Sequence, residues 1–137
     1  MPSLNSDLKL DEACLCGSGL AYQACCYPYH SQTAYPETAE QLMRSRYVAY
    51  AKQLEPYLVS TWQKGHRPES FDFDGNLYWQ KLVINGKKKG RKRDQEGWVT
   101  FTAFYRVGLD EYQFQEKSYF RRDENHHWCY VEGDIKE

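Results

Sequence analysis

Net charge is the first thing this sequence lacks. Its 18 Lys and Arg residues are offset by 19 Asp and Glu, leaving a formal charge of -1. No global basic field draws such a chain toward nucleic acid or a membrane surface. Long apolar runs are missing too: no segment approaches the roughly 20 residues of a membrane-spanning helix. The N-terminus, MPSLNSDLKLDEACLCG, has neither the basic start nor the apolar stretch of a signal peptide. These absences predict a cytoplasmic protein with no membrane association, in a compartment where thiols stay reduced. A C-x-x-C pair is absent, which argues against redox catalysis. No convincing nucleophile–histidine–carboxylate set stands out either, so an enzyme is the less favoured expectation.

What is present is an apolar fraction of 41% over 137 residues, enough for the core of one domain of ordinary size. Aromatics reach 16%, and twelve of them are tyrosines. Tyrosine and tryptophan combine apolar area with a polar handle. A chain this rich in them is suited to lining a partly wet cavity as well as filling a dry core.

Four of the five cysteines lie within 13 residues, in C-L-C-G-S-G-L-A-Y-Q-A-C-C. Zinc takes four soft ligands in a tetrahedron, with thiolates about 2.3 Å from the metal. A C-x-C pair can present both sulfurs to one ion if the chain turns sharply, and Gly17, Ser18 and Gly19 allow that turn. A short helix over 20–25 would then deliver Cys25 and Cys26, with Tyr22 covering the site. The expectation is a structural zinc held by Cys14, Cys16, Cys25 and Cys26, with no coordination position left for water or substrate. Disulfides or free thiols are the alternatives, and neighbouring cysteines such as Cys25 and Cys26 rarely bond each other. His30, four residues past Cys26, is a possible substitute for one ligand. Cys129 reads as a buried small apolar residue.

C-x-C-G-S-G-x-x-Y-x-x-C-C resembles the SEC-C motif, a zinc-binding segment also found at the tail of the SecA translocation ATPase. The following stretch, PYHSQTAYPETAEQLMRSRYVAYA, and the later QEKSYFRRDENHHWCYVEG resemble the YchJ-like family of small bacterial proteins. That resemblance implies a zinc-binding segment over residues 1–30. It also implies a nuclear-transport-factor-2-like α+β domain over residues 31–137, a curved antiparallel sheet around helices. It carries no assigned biochemical activity. SEC-C segments in SecA contact protein partners, so the resemblance points, by analogy only, to a protein partner for the knob.

Read on its own residues, the rest of the chain agrees with α+β. T-A-E-Q at Thr38 fits a capping box opening a helix from Ala39 to Gln53. At 100° per residue, Leu42, Arg46, Ala39, Tyr50, Met43, Leu54 and Tyr47 share one face, while Arg44 falls outside it. Arg46 sits in the middle of that apolar face, either as a buried structural anchor or as a group reaching into a cavity toward an anionic or carbonyl-bearing ligand. A short helix follows in EPYLVSTW, with Leu58, Val59 and Trp62 inward. QKGHRPESFDFDG reads as a loop, and its His66 as a solvated side chain. Period-two patterning then gives strands in NLYWQKLVING, GWVTFTAFYRVG, QFQEKSYFRR and NHHWCYVEG. Val99, Phe101, Ala103, Tyr105 and Val107 fall on one face of the second. Tyr112, Phe114, Glu116, Ser118 and Phe120 share a face of the third, read as inward. Glu116 is then expected to meet Arg46 inside the cone, near Ser118, because two unpaired buried charges would each cost several kcal/mol, roughly. Adjacent His126 and His127 would point to opposite faces and make an awkward metal pair.

Six of the seven residues from Lys87 to Arg93 are basic. This run reads as a solvated hairpin tip, with a local, salt-sensitive contact to an anionic partner as the functional alternative. Two functions remain open on these residues. One is an adaptor whose zinc knob contacts another protein. The other is a small-molecule-binding protein or enzyme with a pocket at Arg46, Tyr47, Tyr50, Trp62, Glu116 and Ser118.

Overall fold

Strict alternation in the second half of the chain becomes a four-stranded antiparallel meander, ordered β1-β2-β3-β4. The strands are β1 (Leu77–Lys89), β2 (Glu96–Val107), β3 (Asp110–Arg122) and β4 (Trp128–Lys136). Among the described residues three α-helices precede them: α1 (Tyr27–His30), α2 (Ala39–Lys52) and α3 (Glu55–Ser60). The computed structural model describes residues 8–71, 73 and 76–136. Residues 1–7 of the expected zinc segment and 72, 74 and 75 of the expected loop lie outside the described residues.

α2 is the element on which the other layers rest. Its capping box forms as expected: Thr38 Oγ1 accepts from the Gln41 amide at 3.1 Å, and Gln41 Oε1 accepts from the Thr38 amide at 3.1 Å. The helix stops one residue before the expected end, because Gln53 takes a left-handed conformation (φ 59°). One face of α2 packs on the concave side of the sheet. There Val99, Phe101 and Ala103 of β2 stand in register with Ser118, Glu116 and Phe114 of β3, as the period-two reading required. Leu42, Val48, Val99 and Phe120 are fully or almost fully buried in this core.

The sheet departs from the sequence reading in four places. β4, expected over 125–133, runs from Trp128 to Lys136. β1 runs on to Lys89, so Lys87, Lys88 and Lys89 pair with Val99, Trp98 and Gly97, and only 90–95 form the hairpin tip. Lysines are compatible with this because β1 is an edge strand. β3 begins at Asp110, leaving Gly108 and Leu109 as a two-residue turn with Gly108 at φ 62°. Tyr112, expected inward, is 48% exposed and stacks on Tyr105 at 5.5 Å, because it lies at the open end of the sheet.

The end of the first hairpin is fixed by close backbone approach. Gly90 accepts from the Ala39 amide through its carbonyl at 2.9 Å. A Cβ on Gly90 would lie 2.7 Å from the Ala39 Cβ, and one on Gly97 would collide with the Gly90 backbone. The basic run is thereby docked on the start of α2. Gly97→Ala is expected to lower stability by about 1–3 kcal/mol through overpacking, read as a lower denaturant midpoint with an unchanged m-value.

Candidate metal centre and cone pocket

The cysteine segment folds into a knuckle. Cys14 N donates to Leu20 O at 2.8 Å across an Ala13–Ala21 bridge, and Gly17 and Gly19 take φ of 80° and 88° in the turn between. The helix expected over 20–25 is a single 3-10 turn, Tyr22–Ala24, which delivers Cys25 and Cys26. The four sulfurs all lie within 4.8 Å of one another. Cys16 and Cys25 are 3.5 Å apart, Cys25 and Cys26 3.8 Å, and Ser18 Oγ lies 3.1 Å from Cys25 Sγ.

Protons cannot be distributed comfortably among thiols this crowded. Hydrogen bonds from Cys14 and Cys26 hold the Cys16 thiol far below its ordinary range. A hydrogen bond from Cys26 brings Cys25 down to about 7, while the bond to Cys16 pushes Cys14 up to about 12. Cys26 is pushed up by its bonds to Cys14, Cys16 and Cys25. Four soft donors converging on one point match a metal ion and crowd one another in its absence.

His30 is not among the ligands. Its Nε2 donates to the Ser45 carbonyl at 2.8 Å, which leaves Nδ1 to accept from the Tyr22 hydroxyl at 2.6 Å. Burial holds its pKa down to about 4, so the ring is neutral in this clamp. Arg44, set aside by the sequence reading because it lies off the apolar face, makes the second clamp. Its Nη1 donates to Cys16 O at 2.6 Å while Nε bonds Glu40 at 2.9 Å. The available signal was Glu40 one helical turn before it, which holds the guanidinium in place. Cys14, Cys16 and Cys26 share one continuous apolar cluster with Leu42, Met43 and Phe120.

On the concave side of the sheet lies a partly open cavity of about 240 Å³. Arg46, Tyr47, Tyr50 and Glu116 line it, together with Trp79, Phe101, Phe114 and Tyr130. Arg46 is 3% exposed. Its Nη1 donates to Leu58 O at 2.9 Å and Thr61 Oγ1 at 2.7 Å. The guanidinium lies 4.9 Å from the Trp62 ring and 4.7 Å from the Tyr130 ring. Glu116 Oε2 accepts from Ser118 Oγ at 2.6 Å and from the Tyr130 hydroxyl at 3.0 Å. Trp62 therefore backs Arg46, and Ser118, fully buried, backs Glu116.

The direct ion pair expected between Arg46 and Glu116 does not form: among the described residues no such contact occurs within 4.0 Å. The physical reason is that each charge is compensated separately, Arg46 by oxygen acceptors and aromatic faces, Glu116 by two hydroxyl donors. Thr61, Tyr130 and Gly133 were not identified as contributors from the sequence. A Cβ at Gly133 would collide with the Glu116 carboxylate and lie 2.7 Å from the Tyr130 hydroxyl. A glycine inside an otherwise regular strand was the available signal.

The remaining candidates have ordinary surroundings. Lys87, Lys89, Arg91 and Lys92 of the basic run pair with Glu40, Glu96, Asp94 and Glu37 respectively. Cys129 is buried, its thiol bonds Asp123 at 3.7 Å, and burial followed by that carboxylate pushes its pKa up to about 11, which opposes a thiolate nucleophile. His127 stacks on Tyr35 at 3.7 Å. Among the described residues no helix is long and apolar enough to cross a membrane.

A SEC-C-type cysteine knuckle joined to an NTF2-like α+β domain is the class of protein that this fold and site define. The family model described as the YchJ middle NTF2-like domain matches residues 38–133, and that of the SEC-C motif matches residues 12–28. The chain belongs to the YchJ-like family. A UPF0225 protein of Streptomyces avermitilis is 42% identical over 91% of this chain and 86% of its own length. One from Chromobacterium violaceum is 42% identical over 95% and 98%. A SEC-C motif containing protein from Rhodopseudomonas palustris, solved in solution, superposes with a TM-score of 0.79 at 32% identity, covering 92% of this chain and all of that one. A crystal structure from Psychrobacter arcticus shares the fold at TM-score 0.69 and 20% identity, over 98% of this chain and 83% of that one.

His30→Ala removes both ring contacts, leaving the Tyr22 hydroxyl without its imidazole partner and the Ser45 carbonyl with only its helical bond. A loss of about 2–3 kcal/mol is expected, measured by urea unfolding of the metal-loaded protein. His30→Ala at wild-type stability would show that the clamp contributes nothing.

Proposed function

We propose that this chain is a zinc-stapled small-molecule-binding protein, in which the knuckle is structural and the cone pocket is the working site. The observation that carries this reading is the aromatic cavity of about 240 Å³ into which a buried arginine and a carboxylate both reach. Ligand sites are concave, mostly apolar and provided with a few placed polar groups. Zinc is the metal that suits the knuckle. Zinc–sulfur bonds of about 2.3 Å in a tetrahedron set the sulfurs roughly 3.8 Å apart, against the 3.5 and 3.8 Å seen here. Four thiolates leave no open position, so the ion's chemistry is to hold the knuckle together. Such a site belongs in a reducing compartment, which supports the cytoplasm.

A second reading has one observation in its favour. Leu10, Leu20 and Tyr27 of the knuckle region are 44%, 53% and 40% exposed, which suits a small contact surface for a protein partner.

Native mass spectrometry of the chain purified from its own host separates the two. The expected species is one chain with one zinc and a co-purified small molecule that is lost on denaturation. A complex with a second protein and an empty pocket would overturn the ligand-binding reading. The double variant Cys14→Ser, Cys25→Ser is expected to retain less than about 0.1 zinc per chain and to unfold at lower temperature. Stoichiometric zinc in that variant would overturn the metal assignment.

A further inference from the structure

The cone pocket holds two opposite charges that do not neutralise each other by contact. Arg46 and Glu116 both line it, and each is held by its own partners. The guanidinium's bonds to Leu58 and Thr61 both run through Nη1. It also bonds the Tyr50 side chain at the cavity wall, and its Nε and Nη2 bond no carbonyl or carboxylate of the described residues. Both bonds to Glu116 fall on Oε2, and Oε1 accepts from none of the described residues. The pocket thus offers one cationic donor, Arg46 beside Tyr50, and one anionic acceptor, Glu116.

Ligand charge follows from this. A monoanion would be drawn to Arg46 and repelled by Glu116, and a monocation the reverse. A molecule with both charges, a few bonds apart, meets an opposite charge at each end and brings no net charge into the cavity. The rest of the wall is apolar and aromatic: Tyr47, Trp79, Phe101 and Phe114. These surfaces cover a hydrocarbon or aromatic side group and offer no second polar anchor at their ring faces. We infer that the pocket binds a small α-amino acid with an apolar or aromatic side group, its carboxylate on Arg46 and its ammonium on Glu116. This rests on the ligand-binding reading above and specifies its chemistry.

Two features show that the acceptor is built in place. Gly133 has no side chain where one would strike the Glu116 carboxylate. Ser118 is fully buried beneath it and is spent on that single contact. Without these, the shortest route for Glu116 to offset its charge would be toward Arg46, which would fill the space an ammonium group needs.

The test is titration calorimetry with the full chain at pH 7 in low salt, using L-phenylalanine, L-leucine, 3-phenylpropionate and 2-phenylethylamine, with amide chemical shifts recorded in parallel. At least one of the two zwitterions is expected to bind about ten-fold or more tighter than both single-charge analogues, a difference of about 1.4 kcal/mol, with shifts at Tyr50, Phe114 and Glu116. Glu116→Gln retains an acceptor for Ser118 and Tyr130, so the fold is kept, and it is expected to erase that advantage while leaving 3-phenylpropionate bound as tightly or more tightly. Equal or tighter binding of either single-charge analogue, or an unchanged preference in Glu116→Gln, would overturn the amino-acid assignment and leave the ligand-binding reading standing. No binding and no shift with all four also overturns it. Only an empty pocket in the native mass spectrum as well would remove the broader reading.

Discussion

A buried guanidinium is the constraint around which this fold is arranged. Arg46 projects from α2 into the protein with 3% exposure, and burial pushes its pKa below the ordinary arginine range. A charge in that position is tolerated only where its surroundings are fixed. The carbonyl of Leu58 and the hydroxyl of Thr61 fix the end of α3 and the segment that leaves it. That segment then pairs with β4: Tyr130 N donates to Thr61 O and Gln63 N to Tyr130 O, both at 2.8 Å. The same pairing sets Trp62 and Tyr130 as the two ring faces nearest the guanidinium. Removing one partner of a buried charge typically costs about 3–5 kcal/mol. Helix, connecting loop and last strand are therefore coupled through one side chain.

Three consecutive residues of α2 carry this coupling outward to the metal knuckle. Arg44 reaches the Cys16 carbonyl. Ser45 receives His30 on its own carbonyl, and its hydroxyl contacts Tyr57 of α3 at 2.7 Å. Arg46 enters the cone. Residues one apart on a helix diverge by about 100°, so R-S-R sends three polar groups in three directions and ties knuckle, short helix and pocket to one backbone segment. The knuckle is consequently more than an appendage, since three of its four thiols lie in the same apolar cluster as the cone core.

Much of this was legible in the sequence, and the remainder was hidden for physical reasons. The cysteine spacing, the capping box at Thr38 and the alternation along β2 are local signals, and the elements they specify are present. The inward position of Arg46 followed from helical periodicity. Its compensation did not, because an aromatic face offsets a cation without any spacing rule, and Trp62 and Tyr130 lie 16 and 84 residues further along the chain. The same blindness led to the expected contact with Glu116: two charges on one cavity suggest a pair unless the nearer hydroxyl donors are known. Arg44 was missed because a search for an apolar face discards residues at its flank, which is where a clamp to a second layer must sit. The extent of β1 was missed because three lysines read as loop, although an edge strand accepts them.

The separation of Arg46 from Glu116 has a consequence for the pocket itself. Oppositely charged groups that share a cavity attract each other, and collapse onto each other would close it. Each group here is restrained from its own side: Arg46 by acceptors behind it, Glu116 by Ser118, Tyr130 and the vacant position at Gly133. These restraints are made by the protein's own groups. A ligand that completes the two charges then meets groups already oriented, and the cost of ordering them falls on folding instead of on binding. An arginine used only as an anchor needs its acceptors and ring faces. It does not need an opposite charge held back across an open cavity, and the proposed ligand-binding role rests on that feature.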